Sequence, residues 1–478
     1  MDRKWRALII VCVAIFMLLL DITVVNVALP DIQKELHTSF TDLQWVVDAY
    51  ALMLASVMLS AGTLGDWLGR KRVFIGGVAL FTAASAACGA AQSPLFLNLA
   101  RGAQGIGGAI MFAVSLAILA QEFHGRERGT AFGIWGATIG AAVAIGPLVG
   151  GMLTENAGWR WIFFVNLPIG ALCILAGLRV LHESRDEQHS GFDRFGFVTF
   201  TGGLFAFVLF LLRGNDWGWS SGRELLLVIV AVVLLSAFTA FEWRKREPMF
   251  EVRLFSKPTF TGAQIIAFIL AAGMFSQFLY LALYLQNVLH LSPVATGVRF
   301  LPLSITSFFA APLAGRLMSR VPVRLLFGFG LALVGVALLL MHGVTPTSSW
   351  TTLLAGFIVG GLGVGLVNAP LAATAVSIVE PRRAGMASGI NNTFRQVGIA
   401  TGIAGLGAIL QSKAGSQLAA SGRGDPHLFT NGLNEILLVA AIALFVCAVL
   451  ALALVRAQDF VASGPAQGQQ QQPAPGAA

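Results

Sequence analysis

The sequence predicts an all-α integral membrane protein of fourteen transmembrane helices, ordered as six, a two-helix insert and six more. Three observations predict it. Of its 478 residues, 56% are hydrophobic and only 11% charged, and mean hydropathy is +0.78, whereas soluble domains carry about 25% charged residues. The apolar residues gather into fourteen runs, most of them long enough to cross a hydrocarbon core of about 30 Å. Basic residues concentrate in alternate connecting segments, the bias that orients membrane helices.

The first run, 7–29, is too long for a signal peptide and lacks a small-residue cleavage site. Runs 43–64, 73–91, 95–120, 129–153 and 161–181 complete a first group of six. Runs 196–212 and 224–242 follow between two charged loops, 182–194 and 242–257. The second six are 259–286, 293–315, 325–343, 350–371, 384–410 and 434–456. The expected division is therefore a bundle over 1–181, a linker with two extra helices over 182–257, a second bundle over 258–456, and a disordered tail over 457–478, whose end is low-complexity. With the N-terminus inside, twenty-two of the 31 Lys and Arg residues fall in inner segments. Outer segments hold Lys34, Arg160, Arg213, Arg223, Lys413 and Arg423. Both termini are expected in the cytoplasm, and the protein in the cytoplasmic membrane. The net charge of +8 sits in these short loops, so no nucleic-acid partner is expected. Cys12, Cys88, Cys173 and Cys447 all lie in apolar runs without paired spacing, which reads as small buried hydrophobes, not disulfides or a metal site.

Three charges break the apolar pattern at one level. At 1.5 Å per residue, Asp21 in run 1 lies about 9 Å below the outer face, Asp48 in run 2 about 8 Å and Arg101 in run 4 about 9 Å. A charge in mid-membrane costs roughly 2.5–3.5 kcal/mol on insertion scales, so such groups pair or face a water-filled cavity. Two readings stay open: a static ion-pair network that orders the bundle, or a carboxyl that gains and loses a proton. Run 5 carries Gly136, Gly140, Ala144, Pro147 and Gly151 at steps of 4, 4, 3 and 4, one smooth face for a closely approaching helix. Pro147 is expected to bend that helix.

The loop after run 2, GTLGDWLGRKRV, contains Gly62, Asp66, Gly69, Arg70, Lys71 and Arg72. It resembles the signature loop between helices 2 and 3 of the major facilitator superfamily. LDITVVNVALP (20–30) resembles the helix 1 signature of the fourteen-helix drug:proton antiporter branch. LARGAQGIGGA (99–109) resembles the helix 4 motif, whose arginine, here Arg101, is tied to proton transfer. GIWGATIGAAVAIGPLVGGML (133–153), with Gly136, Gly140, Gly146, Pro147, Gly150 and Gly151, is similar to the antiporter motif of helix 5. WRWIFFVNLPIG (159–170) resembles a stretch common in that branch. The matches follow in order over nearly the whole chain. The resemblance implies a major facilitator fold, two pseudosymmetric halves rocking about a midplane site. It also implies proton coupling through Asp21, Asp48 and Arg101, and gating through Gly62, Asp66, Gly69 and Arg70. Asp66 would sit against the start of a second-half helix near Ala384–Ser388. The second-half copy, GRLMSRVPVR (315–324), departs from the pattern, with Ser319 at the Asp66-equivalent position and Pro322 at the Gly69-equivalent.

For a substrate site, run 9 offers Gln277, Tyr280 and Tyr284 at i, i+3 and i+7. This is either a polar-tipped aromatic face toward a cavity or a packing face. Run 13 offers Asn392, Arg395 and Gln396, for substrate or for gating. No nucleotide-binding GxxxxGK[ST], no HExxH and no GxSxG occurs, so an ATP-driven pump or an enzyme is not expected, nor a cofactor or metal. The reading is a monomeric proton-coupled antiporter that exports small lipophilic compounds, cations among them. Its partners are substrate, protons and the bilayer. The alternatives are a dedicated exporter of one metabolite or antibiotic, and a non-transporting membrane sensor or scaffold.

Overall fold

The computed structural model describes residues 2–37, 40–185, 193–245, 248, 250–318, 320–380, 383–414, 425–456 and 459. All regular structure among them is helical. The helices are α1 (Arg3–Leu36), α2 (Phe40–Leu68), α3 (Arg70–Gly89), α4 (Pro94–Glu122), α5 (Gly125–Ala157), α6 (Trp161–Phe164) and α7 (Asn166–Val180). The insert is α8 (Arg194–Trp217) and α9 (Gly222–Arg244). The second set is α10 (Pro258–Leu270), α11 (Gln277–Leu283), α12 (Pro293–Leu317), α13 (Val323–Met341), α14 (Leu354–Ser377), α15 (Ala384–Ala414) and α16 (Pro426–Leu454).

Local chemistry explains several helix starts. Ser93, Ser221 and Ser292 each accept the backbone N–H three residues on, and Asp193 does so from Gly196. Pro94, Pro293 and Pro426 occupy first turns, where their missing N–H costs nothing. α6 and α7 form one span interrupted at Val165. α10 and α11 belong to another, in which Ala271–Phe275 and Tyr284–Val288 are π-helical turns.

Among the described residues, thirteen spans are long and apolar enough to cross a membrane. The fourteenth is α5, whose 33 residues reach about 50 Å. It packs against α1 on one side and α12 and α14 on the other.

One apolar core joins α1, α3, α4 and α5 through Met17, Phe74, Phe81, Phe112 and Trp135. Another joins α10 to α16 through Met274, Phe327, Phe357, Leu433 and Leu444. The two groups meet along two seams, α5 on α12 and α2 on α15. Helix α8 covers the second seam. Its Phe200, Leu204 and Val208 pack with Leu52 and Leu59 of α2 and Ile390 of α15, and Ser60 and Thr201 hydroxyls meet at 3.0 Å. Helix α9 turns Leu225, Ile229 and Val233 outward, a face suited to lipid.

At the end away from the chain start, Glu35 accepts from Trp159 Nε1 at 2.6 Å and pairs with Arg160. Arg160 also donates to Ala91 O. The Arg160 guanidinium holds the Glu35 carboxyl below its ordinary 4.5. The clamp is therefore intact above pH 4.5 and lost only as pH falls through the lower folded value. Thermal melts of Glu35→Gln should lie slightly below wild type at pH 7 and converge on it as pH falls from 4.5 through the lower folded value, the exposed pair being a weak one.

Candidate functional site

Five helices of the first set converge on Asp21, which is 2% exposed. Arg101 on α4, 1% exposed, donates from Nη1 to Asp21 Oδ2 at 2.5 Å and to Gln104 Oε1 at 2.7 Å. Its Nε donates to the Val46 carbonyl of α2 at 3.0 Å. The other carboxylate oxygen accepts from Gln104 Nε2 at 2.9 Å and from Asn166 Nδ2, at the start of α7, at 3.0 Å. Both amides also reach Ser85 Oγ on α3, which donates to Phe163 O. The guanidinium lies 4.2 Å from the centre of the Tyr50 ring. Asp21 thus accepts three bonds and Arg101 makes three. A buried pair needs such saturation to offset its desolvation.

Asp48, read at the same depth, pairs with a different arginine: its Oδ2 lies 2.9 Å from Arg213 Nη2 of α8. The physical reason is rotation. Tyr50 faces Arg101, and Asp48, two residues earlier, points about 200° around the helix from it. Arg213, assigned to an outer segment by sequence, is 1% exposed and inside α8, which runs on to Trp217. Its guanidinium also covers the Trp45 ring at 4.4 Å.

At the α2–α15 seam, Asp66 accepts from Gly385 N at 3.3 Å and Met386 N at 2.9 Å, the first turn of α15. Arg70 Nε and Nη2 donate to Asp66 Oδ1 at 3.0 and 2.8 Å. A Cβ on Gly62 would lie 2.4 Å from the Gly385 carbonyl oxygen, so the backbones nearly touch. Gly69 has φ +109°, a value open to glycine, and stands against the Glu183 carboxylate. That carboxylate accepts from Lys71 N and Arg72 N at the start of α3.

The α5–α12 seam is built alike. A Cβ on Gly129 would lie 2.5 Å from Gly315 O, and one on Gly315 2.2 Å from Gly129 O. Gly136 and Gly140 continue this face toward Ala369, Asn368 and Ser307, and Gly151 toward Val294. Gly146 and Gly150 lie on another face, against Thr23 and Val24 of α1. The side chains of Ala144 and Pro147, and the whole of Ser319, lie outside the described residues.

In the second set, of the two readings of run 9, the structure displays the packing one. Gln277, Tyr280 and Tyr284 are buried. They donate to the carbonyls of Ile436 (3.2 Å), Ile403 (2.5 Å) and Thr345 (2.9 Å). Their donors are used in helix packing, this span being central to the second core, while Gln277 Oε1 has no hydrogen-bond partner among the described residues. A small cavity does lie between the halves, lined by Gly140, Phe275, Phe278, Ser304, Ser307 and Asn368. Asn392 is buried and donates to Ser388 Oγ at 3.4 Å. Arg395 is half-buried with its guanidinium 4.8 Å from the Phe275 ring, a neighbour of that cavity.

Fold and site define a polytopic transporter of two packed helical halves with a buried ion pair in one. The chain belongs to the Major Facilitator Superfamily, whose family model matches residues 11–403. It is 36% identical over 415 residues to the multidrug resistance protein Stp of Mycobacterium tuberculosis, covering 87% of this chain and 76% of that protein. It is 34% identical to the tetracenomycin C resistance and export protein of Streptomyces glaucescens, covering 86% and 77%. It is 36% identical to the puromycin resistance protein of Streptomyces alboniger, covering 88% and 84%. Among solved structures it resembles the human organic anion transporter MFSD10, with TM-score 0.69 and 16% identity, covering 94% of this chain and all of that one. That likeness bears on fold alone.

Proposed function

We propose that the protein is a proton-coupled antiporter that exports small lipophilic drugs or toxic compounds across the cytoplasmic membrane. The observation that carries this reading is the saturated Asp21–Arg101 pair at the meeting of five helices. A proton on Asp21 cancels its charge and weakens its hold on Arg101, giving two packings of the first half. Protonation from outside accompanies substrate release; deprotonation inside restores the pair. One proton moving down 100 mV yields about 2.3 kcal/mol, and each pH unit about 1.36 kcal/mol, enough for modest uphill export. The reading includes both termini in the cytoplasm, supported by the basic inner segments. It also takes 1–181 and 258–456 as the moving halves, 182–257 as the linker, 457–478 as the tail, and one chain as the working unit. Asp66 and Arg70, with Gly62 and Gly69, form the inner gate, and Gly136, Gly140 and Gly151 the sliding face of α5. The space near Asn392, Arg395 and Asn368 is the assigned substrate region.

The test is uncoupler-sensitive ethidium efflux from energised vesicles, wild type beside Asp21→Asn. Efflux abolished in the variant supports the reading; equal uncoupler-sensitive efflux from both overturns it. A second reading, export of a single antibiotic, is favoured by relatives named for single compounds, tetracenomycin C and puromycin. No ethidium efflux from either protein, at normal membrane expression, favours that narrower substrate.

A further inference from the structure

The two-helix insert does more than join the halves. Helix α8 packs against α2 and brings a cation to Asp48. Arg213 is 1% exposed, its guanidinium lies against the Trp45 ring, and its Nη2 is 2.9 Å from Asp48 Oδ2. The Asp48 side chain keeps 19% of its surface. The acid of the pair is thus accessible and the base sealed in. A cation or proton arriving at this seam meets the carboxylate first. The same helix covers the α2–α15 junction between the halves, where Phe200, Leu204 and Val208 pack across both. Any parting of α2 from α15 must therefore move α8 against at least one of them.

We propose that Arg213 is a positioning residue for proton coupling. It holds ionised Asp48 to α8, so that protonating Asp48, or engaging it with a cationic substrate, releases the insert from α2. The functional meaning rests on the antiporter reading; the pairing does not. Other charged or titratable groups face this stretch of α2. They are Arg101 and Asp21 from α4 and α1, joined to it through the Val46 carbonyl, and Tyr50 on α2 itself; Arg395 on α15 turns its guanidinium to the Phe275 ring. Asp66, Arg70, Lys71 and Arg72 lie at the other end of α2 and α3. Since Arg101 is already committed to Asp21, Arg213 is the positive charge that Asp48 exchanges for a proton.

The full-length protein in lipid is tested by infrared titration, the Asp48 carboxyl band being isolated by subtracting Asp48→Asn in each background. With Arg213→Gln the band should titrate about one pH unit or more above wild type, because a nearby cation favours the ionised acid. Arg213→Lys, which keeps the charge, should stay with wild type, and serves should Arg213→Gln fold poorly. The acid limb of the ethidium-efflux pH profile should move in the same direction. In Arg213→Gln/Asp48→Asn efflux should fall no further than in Asp48→Asn alone. A band unmoved in Arg213→Gln, or losses that multiply in the double variant, overturns the assignment. A shifted band without proton-driven efflux in wild type supports the pairing while overturning the antiporter reading, so the two failures are separable.

Discussion

Asp21→Asn is expected to abolish proton-driven efflux and to lower stability, two effects that a double substitution separates. Asparagine keeps the size of the side chain and an oxygen for Gln104 or Asn166, both within 3.0 Å of Asp21 Oδ1. It removes the charge opposite Arg101, which stays buried among Val46, Gln104 and Tyr50. Breaking a buried pair by removing one partner typically costs about 3–5 kcal/mol, because the other charge is left uncompensated. Removing both charges in Asp21→Asn/Arg101→Gln should recover most of that loss, as neutral replacements of buried pairs often do. Efflux should not recover, since no carboxyl remains to take the proton. Thermal stability in detergent and vesicle efflux, measured on the single and double variants, check the two halves of this prediction. Recovered efflux in the double variant would place coupling elsewhere, with Asp48 the next carboxylate to test.

Much of this site was legible in residue order, because depth follows from a rise of 1.5 Å per residue. Counting along three runs puts Asp21, Asp48 and Arg101 on one level; Gln104, three residues past Arg101 and so on its face, was not singled out. Depth alone does not say which way a side chain points, and so the partner of Asp48 was not visible. Arg213 was hidden for a related reason. The apolar run of α8 ends at Leu212, so hydropathy assigns the next residue to a loop, yet the helix continues and buries it. A charged residue immediately following an apolar run was the available signal. Ser85 gave none, being a neutral residue in ordinary helical sequence that matters because it accepts from the Gln104 and Asn166 amides; Asn166 was legible only as part of the 159–170 stretch, not as a donor to the Asp21 carboxylate. The aromatic face of Gln277, Tyr280 and Tyr284 was legible as a face, but periodicity names no neighbour. The glycine pair Gly129–Gly315 escaped notice because its two members lie far apart in sequence and each is unremarkable in its own helix.

The two seams provide the other large expected effect. At the α2–α15 seam a carboxylate meets the first N–H groups of a helix, where an acid is worth about 0.3–1 kcal/mol and more when partly buried. Asp66→Asn keeps an acceptor for Met386 N but loses the charge, and with it the fork from Arg70 at 2.8 and 3.0 Å. A transporter that alternates between two packings of similar free energy is shifted by whatever one packing loses. The seam should open more often, by about two- to fivefold on the helix-terminus figure alone. Ser388, fully buried on α15 one turn past the contact, reports this when replaced by cysteine. In Asp66→Asn, Ser388→Cys should react with a maleimide two- to fivefold faster or more, while the four native cysteines are buried and supply the background. Gly315→Val tests the opposite seam. Its Cβ would lie 2.2 Å from the Gly129 carbonyl oxygen, a backbone atom that cannot swing aside, so α5 and α12 must separate. Because this seam has no Asp66 of its own among the described residues, Gly315→Val should speed Ser388→Cys labelling little and yet stop efflux. Equal labelling gains from both variants would mean that the two seams open as one gate.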